Sequence, residues 1–502
     1  MLGINELFSS ISQSQKEKIA VIYNEERLTY GKFAEMVNSY DSKLSALGIC
    51  RGSRAAILFK NSSNMLALML ALLRRGACAS YLNFRENVSE LAYALRLVEA
   101  KHVLSGDNLA DKAQEAAALV GDSSISVITE SELEMAASGP VEPEALDCSD
   151  IVVNFFTGGT TGRPKAASHS YGGLAYQLDS CYMLEAPVSS EDVFLNYAPL
   201  FHIGGFTAAM QTLCCGGTFV ISDAFLAPEL VRFVEREHVT QMSLIPPSLC
   251  TELTACAGFQ PEKLRSVKLL RMSGGACTVK NIKKAFDVFP NASIFVGYGM
   301  SERAVNIVQI IHRTGRLREI DGNISIGVPG AFNEYKLISE DGKVITAPFI
   351  PGEICGRGPC TMVGYYGRDN SFDSEGWFHT GDILYADEDG YYYFVDRKKD
   401  MIKSGGENVY SNMVEQILNT HPAVKESAVV GIPDERLGEM VAAAVVLNQG
   451  FNVLPEELMA YCGEKAAGYK KPRKIVFMPR LPRSKIGKVL KTEVRDILLD
   501  NG

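Results

Sequence analysis

Nine consecutive residues, Thr157-Gly158-Gly159-Thr160-Thr161-Gly162-Arg163-Pro164-Lys165, form the densest cluster of potential chemistry in the sequence. Three glycines and three threonines cannot pack a core, and they follow an apolar run at 151–156 that reads as a strand. A glycine-rich turn in that place offers free N–H groups and hydroxyls to phosphate oxygens. Each such N–H makes a charge-assisted bond worth about 1.5–3 kcal/mol. Lys165 adds positive charge. This is not a Walker A loop, because the lysine follows Arg-Pro rather than Gly and no Ser or Thr comes after it. The expected chemistry is phosphate binding.

Alternating strand and helix patterns must position such a loop. Apolar residues at Phe33, Met36, Val37, Tyr40, Leu44 and Leu47 recur in steps of three and four, marking one face of a helix. Thr29 suits its N-cap and Gly48 its stop. Strand-like runs at 55–58, 151–156, 218–221 and 293–296 alternate with helix-length segments such as 227–238. That alternation predicts an α/β fold of mostly parallel sheets covered on both faces. From 326 to 395, Gly, Pro and short β-rich segments predict a small antiparallel or β-barrel-like piece. A charge run, Asp396-Arg397-Lys398-Lys399-Asp400, then precedes Ser404-Gly405-Gly406, after which an α+β pattern resumes. The expected division is 1–395, a connection at 396–400, and 401–502.

Composition narrows the class. The 502 residues carry 59 acidic against 50 basic side chains, a net charge of −9, which argues against a dedicated nucleic-acid binder. An apolar run at 65–73 ends at Arg74-Arg75, far short of the roughly 20 residues that span a membrane. The opening MLGINELFSS carries Glu6 and lacks a basic region before an apolar core, so no signal peptide is expected there. The 12 cysteines show neither CxxC nor metal-ligand spacing and read as reduced, mostly buried thiols. The expected location is cytoplasmic.

Further motifs follow the loop in order: Pro199-Leu200-Phe201-His202, Ser273-Gly274-Gly275-Ala276, Tyr298-Gly299-Met300-Ser301-Glu302, Thr380-Gly381-Asp382, the 396–400 charge run, and Pro482-Arg483-Ser484-Lys485-Ile486-Gly487-Lys488. With Thr157–Lys165 they resemble the motif set of the adenylate-forming enzymes: acyl-CoA synthetases, nonribosomal adenylation domains and firefly-type luciferases. The resemblance runs from about Leu28 to Val494. It implies doubly wound α/β subdomains within 1–395, which would bind ATP and the acyl group. It further implies a hinge at 396–400 and a smaller mobile α+β domain at 401–502, carrying the catalytic lysine and the thiolation function.

Adenylation brings a carboxylate onto the α-phosphorus of ATP, so positive charge is required where two anions meet. The resemblance implies that Lys488 supplies it. Thr157, Gly158, Gly159, Thr160, Thr161, Gly162 and Lys165 would hold phosphate, with Ser301 as a further contact. Glu302 would bind Mg²⁺, whose preference is for hard oxygen ligands. Gly274, Gly275 and Ala276 would lie on the adenine, followed by the Tyr298-Gly299 pair. Asp382, with two acceptor oxygens, would grip the ribose hydroxyls beside Arg397. His202 would stand beside the substrate carboxylate or gate the acyl pocket, whereas His169 reads as structural. Lys399 would be the pivot, and Ser404, Gly405 and Gly406 would line the coenzyme A tunnel.

The sequence also discriminates within the family. Amino-acid-activating domains carry an aspartate in the substrate-side motif, and Phe201-His202-Ile203-Gly204 has none. The post-hinge Lys403-Ser404-Gly405-Gly406-Glu407-Asn408 resembles the acyl-CoA synthetase form. Phe201, Ile203, Gly204, Val305 and Asn306 make a mostly apolar pocket wall suited to an aliphatic or aryl acid. Arg303, directly after Glu302, reads as a member of a structural ion pair or, less readily, as a reader of a second polar group. Other departures from the family pattern are Gly158, Ala166 and Met413. The expected activity is an ATP- and Mg²⁺-dependent carboxylate–CoA ligase. The alternatives are transfer of the acyl group to a carrier protein's phosphopantetheine and a catalytically silent nucleotide- or acyl-CoA-binding protein.

Overall fold

The computed structural model describes residues 3–137, 139, 141, 144–157, 164–183, 188–245, 247–256, 258–275, 277–320, 322–368, 371–483 and 489–500. Among them, one sheet runs in the order Gly364–Tyr365, Lys165–Ser170, Ile151–Thr157, Cys78–Tyr81, Arg54–Leu58, His102–Ser105, Ser126–Thr129. Its neighbours from Ile151–Thr157 onward are parallel, and the first two strands are antiparallel additions. A second sheet has a parallel centre built from Ile19–Tyr23, Thr218–Ile221, Val193–Asn196, Gln241–Leu244, Leu269–Met272 and Ser293–Met300. Antiparallel strands close both of its edges.

One buried apolar cluster joins the two sheets, drawing Ile57, Tyr81 and Phe155 from the first and Val21, Phe194 and Phe219 from the second. Through it runs the helix Ser63–Arg74, whose residues from Met65 to Leu73 are all buried. A helix that is apolar all round belongs between layers. Its start is fixed by Ser62, whose side chain accepts from the Met65 N–H at 3.0 Å. No helix among the described residues is long and apolar enough to cross a membrane. The helix Tyr30–Ala46 begins and ends where the pattern predicts: Thr29 accepts from the Lys32 N–H, and Gly48 takes a left-handed φ of 76°.

The strand expected at 293–296 runs on to Met300 and turns back into Arg303–Ile311, with an irregularity between Tyr298 and Met300. Gly297 and Gly299 hid this extension from a reading based on apolar alternation. The region 326–395 takes the antiparallel form, with strands ordered Val344–Ile345, Glu334–Ile338, Gly352–Arg357, Phe378–Ala386, Tyr392–Arg397. The chain then passes through a short turn, Lys398–Asp400, into a last sheet whose two faces carry separate apolar clusters. The helices Ser411–Asn419, Pro455–Lys465 and Lys491–Asp500 accompany that sheet.

Gly327 fixes how the antiparallel sheet docks. Its φ is 104°, and a Cβ there would lie 1.8 Å from the carbonyl oxygen of Val308. Its own carbonyl accepts from the Tyr392 N–H at 2.8 Å, so the backbones of two sheets meet at this residue. Gly327→Ala is expected to cost about 2–3 kcal/mol, from backbone strain and the forced separation of the sheets. Urea unfolding checks this: the midpoint falls while the slope stays unchanged.

Candidate active site

Thr157, His202, Gly274, Gly275, Ser301 and Glu302 lie at or after the carboxyl ends of parallel strands, where open α/β sheets place their ligands. Thr157 ends its strand and is the register partner of Lys165. Gly158, Gly159, Thr160, Thr161, Gly162 and Arg163, between them, lie outside the described residues. Lys165 places its ammonium 4.6 Å from the centre of the Tyr365 ring. The same tyrosine donates its hydroxyl to Oε1 of Glu302 at 2.6 Å. The Glu302 carbonyl also accepts from the Met362 N–H at 2.8 Å. Tyr365 therefore ties Lys165, at the end of the glycine-rich segment, to the glutamate of a separate motif. Burial and the Glu302 carboxylate raise its phenol, so it remains a donor.

Beneath this contact sits His169, 1% exposed. Its Nε2 donates to the Ser301 carbonyl at 2.8 Å, which leaves Nδ1 to accept from the Gln177 amide at 3.1 Å. Burial lowers its pKa to about 4, so the ring is neutral and acts as a strut beneath Ser301. That agrees with the structural role expected for it.

A second cluster joins the central sheet to the antiparallel one. Tyr298 donates its hydroxyl to Oδ2 of Asp382 at 2.7 Å. Burial and that carboxylate hold the phenol well above its usual range. Arg397 is the register partner of Asp382, with its Nε 3.6 Å from Oδ1. Gly381 takes a φ of 73° and donates its N–H to Glu353, whose other oxygen meets Lys398 at 2.7 Å. Gly274 and Gly275 lie exposed in the turn after Leu269–Met272. Gly274 has a φ of 70° and leaves 2.8 Å between a Cβ and Ile245. Ala276 lies outside the described residues.

On the acyl side, His202 is the N-cap residue of the helix Ile203–Cys214, its ring centroid 4.6 Å from that of Phe201. Phe201 is itself a core residue, 3% exposed and edge-on to Phe84. Ile203 and Gly204 present the accessible surface, and a Cβ on Gly204 would meet nothing within 4 Å. The next glycine is different: a Cβ on Gly205 would lie 2.4 Å from the Pro199 carbonyl, so the helix can start this close to the His202 motif only with glycine there. Val305 and Asn306 follow on the strand Arg303–Ile311, their side chains outside the described residues.

Arg303 is not in an ion pair among the described residues. Its guanidinium, 2% exposed, donates to Asn333 at 2.8 Å and to Thr361, and stacks 4.8 Å from the Tyr335 ring centre. Sequence spacing misses Tyr365, Gln177 and Asn333. They come from other segments, and no local pattern marks them.

Lys399 is exposed on the turn Lys398–Asp400. Ser404 and Glu407 pair across a two-residue hairpin in which Gly405 and Gly406 have φ values of 62° and 87°. Two consecutive positive φ values suffice to demand the glycine pair. Lys488 lies outside the described residues, but the chain on both sides is held: Arg483 bridges Val489, and Leu490 donates its N–H to the Pro482 carbonyl at 3.0 Å.

For a divalent cation, the described residues contain no cluster of three or more His, Cys, Asp or Glu. Mg²⁺ commonly takes one or two carboxylates and completes its shell with water and substrate phosphates. Glu302 fits that use, with one oxygen anchored by Tyr365 and its carboxylate beside the end of the phosphate loop.

Comparison with known proteins accords with this geometry. The profile of the AMP-binding enzyme family matches residues 8–366, and that of the AMP-binding enzyme C-terminal domain matches 413–488. The chain is 34% identical over 482 residues to a feruloyl-CoA synthase of Amycolatopsis sp, covering 95% of each. It is 32% identical over 491 residues to a 2-succinylbenzoate–CoA ligase of Geobacillus sp. (strain WCH70), covering 97% of this chain and 96% of that one. Among solved structures, it overlays the o-succinylbenzoate CoA synthetase of Bacillus subtilis in complex with the acyl-adenylate intermediate OSB-AMP. That match has a TM-score of 0.84 and 28% identity, and covers 98% of both chains. The chain belongs to the AMP-binding enzyme family. The resemblance and the α/β fold class read from the sequence are both borne out.

The buried, neutral His169 carries a pH consequence. Its folded pKa, about 4, lies below the ordinary 6.5, so the unfolded chain binds the extra proton between those values. Its contribution is present above pH 6.5 and is lost as pH falls toward 4, by up to about 3 kcal/mol. Unfolding measured at pH 7 and pH 5 is expected to show this loss in the native protein, and a His169→Gln protein is expected to lack it.

Proposed function

We propose that this chain is an AMP-forming carboxylate–CoA ligase acting on an aryl monocarboxylic acid. The substrate carboxylate attacks the α-phosphorus of ATP and displaces pyrophosphate. The coenzyme A thiol then loses its proton to solvent, and the resulting thiolate attacks the acyl carbon and displaces AMP. The observation that carries this reading is the pairing of two clusters, Lys165–Tyr365–Glu302 and Tyr298–Asp382–Arg397, at the two ends of the short segment from Tyr298 to Glu302. The first suits the phosphates and the second suits the ribose.

Each residue then has a task. Lys165 and Ser301 contact phosphate oxygens. Glu302 would hold Mg²⁺, which when bound neutralises phosphate charge. Asp382 accepts from the ribose hydroxyls, oriented by the Tyr298 donor and the neighbouring Arg397 cation. Lys488 brings positive charge to the meeting of the two anions. Residues 401–502 turn about Lys399, which withdraws Lys488 and presents Gly405 and Gly406 to the pantetheine arm.

The substrate class follows from the wall and the relatives. Ile203 and Gly204 offer an apolar, open surface beside His202, and relatives named above act on feruloyl and succinylbenzoate groups. Arg303, enclosed by Asn333, Thr361 and Tyr335, supplies no cation to a second carboxylate, which favours a monocarboxylic acid.

The test is a panel of ferulate, benzoate, 2-succinylbenzoate and octanoate with ATP and Mg²⁺, with and without coenzyme A, following pyrophosphate and product mass. Ferulate or benzoate is expected to give the acyl-CoA mass. In Lys488→Ala, pyrophosphate release should fall by about 100-fold or more while supplied acyl-AMP is still converted. Acyl-AMP accumulating without acyl-CoA would overturn the acceptor, and preference for octanoate or 2-succinylbenzoate would overturn the acid. For Tyr365→Phe, the free Mg²⁺ giving half-maximal pyrophosphate release should rise by about 10-fold, because Glu302 loses the donor that orients it. Titration of Mg²⁺ at saturating ATP reads that shift.

A further inference from the structure

Gln211 is 2% exposed, and its amide nitrogen meets no acceptor among the described residues. The other end of the same amide is fixed. Its Oε1 accepts from Nη1 of Arg271 at 2.9 Å, so the nitrogen points away from that guanidinium. Arg271 is held in turn by Oε1 of Gln241 at 3.0 Å and by the rings of Phe194 and Phe295, whose centres lie 5.1 and 5.8 Å from the guanidinium carbon. A buried amide N–H without an acceptor is costly, so one held this firmly calls for an acceptor from outside the chain.

The surroundings of that nitrogen form a hollow. Arg271 is the register partner of Ser243 on one side and of Phe295 on the other, so the three side chains share one face of the central sheet. The helix Ile203–Cys214 covers that face. On the opposite face Met242, Leu244, Leu270 and Met272 are at most 1% exposed, whereas Arg271 and Ser243 keep accessible surface beneath the helix. On the helix, Ile203, Thr207 and Gln211 follow in steps of four and lie on one side. Ile203 and Thr207 are partly accessible and Gln211 is buried, so the stripe leads inward from the His202 motif. Thr207 turns its hydroxyl back to the Ile203 carbonyl at 2.8 Å, which leaves an apolar lining between the two ends. From Ile203 to Gln211 the helix advances about 12 Å, which suits a ring on a short unsaturated chain better than a benzoate.

We propose that Gln211 is a specificity-determining residue, its amide oriented by Arg271 to donate to a hydroxyl oxygen at the far end of the acid. The preferred substrate is then a phenylpropenoate with an oxygen para to its side chain. The carboxylate stays at the mouth near His202, the ring lies along Ile203 and Thr207, and the ring oxygen meets Gln211. Arg271 acts through Gln211, by keeping Oε1 turned toward itself and so presenting the nitrogen. The inference deepens the aryl-acid reading above and rests on it.

The test compares 4-hydroxycinnamate with 4-methylcinnamate, which has nearly the same shape but no acceptor, by pyrophosphate release and acyl-CoA mass in the full chain. The wild-type kcat/KM is expected to favour the hydroxy acid by about 30-fold or more. Gln211→Leu should cut that ratio by about 10-fold. Gln211→Glu, which keeps an acceptor for Arg271 and loses the donor, should cut it at least as far. A wild-type ratio of about 1 would overturn the proposal, since water would then satisfy the amide. A high wild-type ratio left unchanged in both variants would also overturn it, because Gln211 would then serve packing alone. Turnover of benzoate but of neither cinnamate would do the same, as the shorter acid leaves Gln211 unreached. If octanoate is the one acid to turn over, the aryl-acid reading falls and takes the distal contact with it. Equal turnover of the two cinnamates removes the distal contact alone.

Discussion

The hydrogen bond from Tyr298 to Asp382, 2.7 Å long, joins residues 84 positions apart on two different sheets. One end sits on the last parallel strand of the central sheet and the other on the antiparallel sheet. A phenol turned into the protein must find an acceptor, and losing a bond to a charged acceptor costs about 1.5–3 kcal/mol. The bond therefore sets where the Asp382 carboxylate stands relative to the strand that leads into Ser301 and Glu302. Without the docking at Gly327, which presses the same two sheets together, that distance could not be kept.

Around this bond the charges divide according to what they must meet. Lys165, Arg397 and Lys398 each lean on a protein group: an aromatic face, Asp382 and Glu353. None is so deeply sequestered that a polyphosphate would have to break a buried pair to reach it. His169 is uncharged, and Asn154 links Ser80 and Ser168 across the adjoining strands at 2.9 and 2.7 Å. An anionic substrate is thus met by accessible cations above a floor that does not change its charge near neutral pH.

Much of this was legible in the sequence. The strands at 55–58, 151–156 and 218–221 and the helix after Thr29 followed from periodicity and caps, since one face of each is apolar and its ends carry the appropriate residues. The motif residues were legible as chemistry because glycines and threonines clustered where no core could form. Tyr365, Gln177, Glu353 and Arg271 were not, for a common reason. Each works through a partner brought close by sheet register or docking, and a single tyrosine or arginine has no local pattern that distinguishes a strut from a solvated surface group. The Gly405-Gly406 pair shows the converse. Sequence reading gave it to the pantetheine arm, while the hairpin's two positive φ values already require it, so composition alone overstates its meaning.

Arg303 shows why position outranks residue type at such a site. A cation next to Glu302 invites a substrate-reading role, yet Glu302 sits in the turn after Met300 whereas Arg303 opens the returning strand, so the two side chains meet different surroundings. Glu302 meets Tyr365, whereas Arg303 turns toward Asn333, Thr361 and Tyr335 and seals the junction with the antiparallel sheet. A Cβ on Gly356 would come within 2.7 Å of its guanidinium carbon, so that glycine is what lets the arginine lie flat against the neighbouring strand. The charge holds the strand Arg303–Ile311 against its neighbours, and the open surface near this part of the fold lies instead beside His202, where a Cβ on Gly204 would meet nothing within 4 Å.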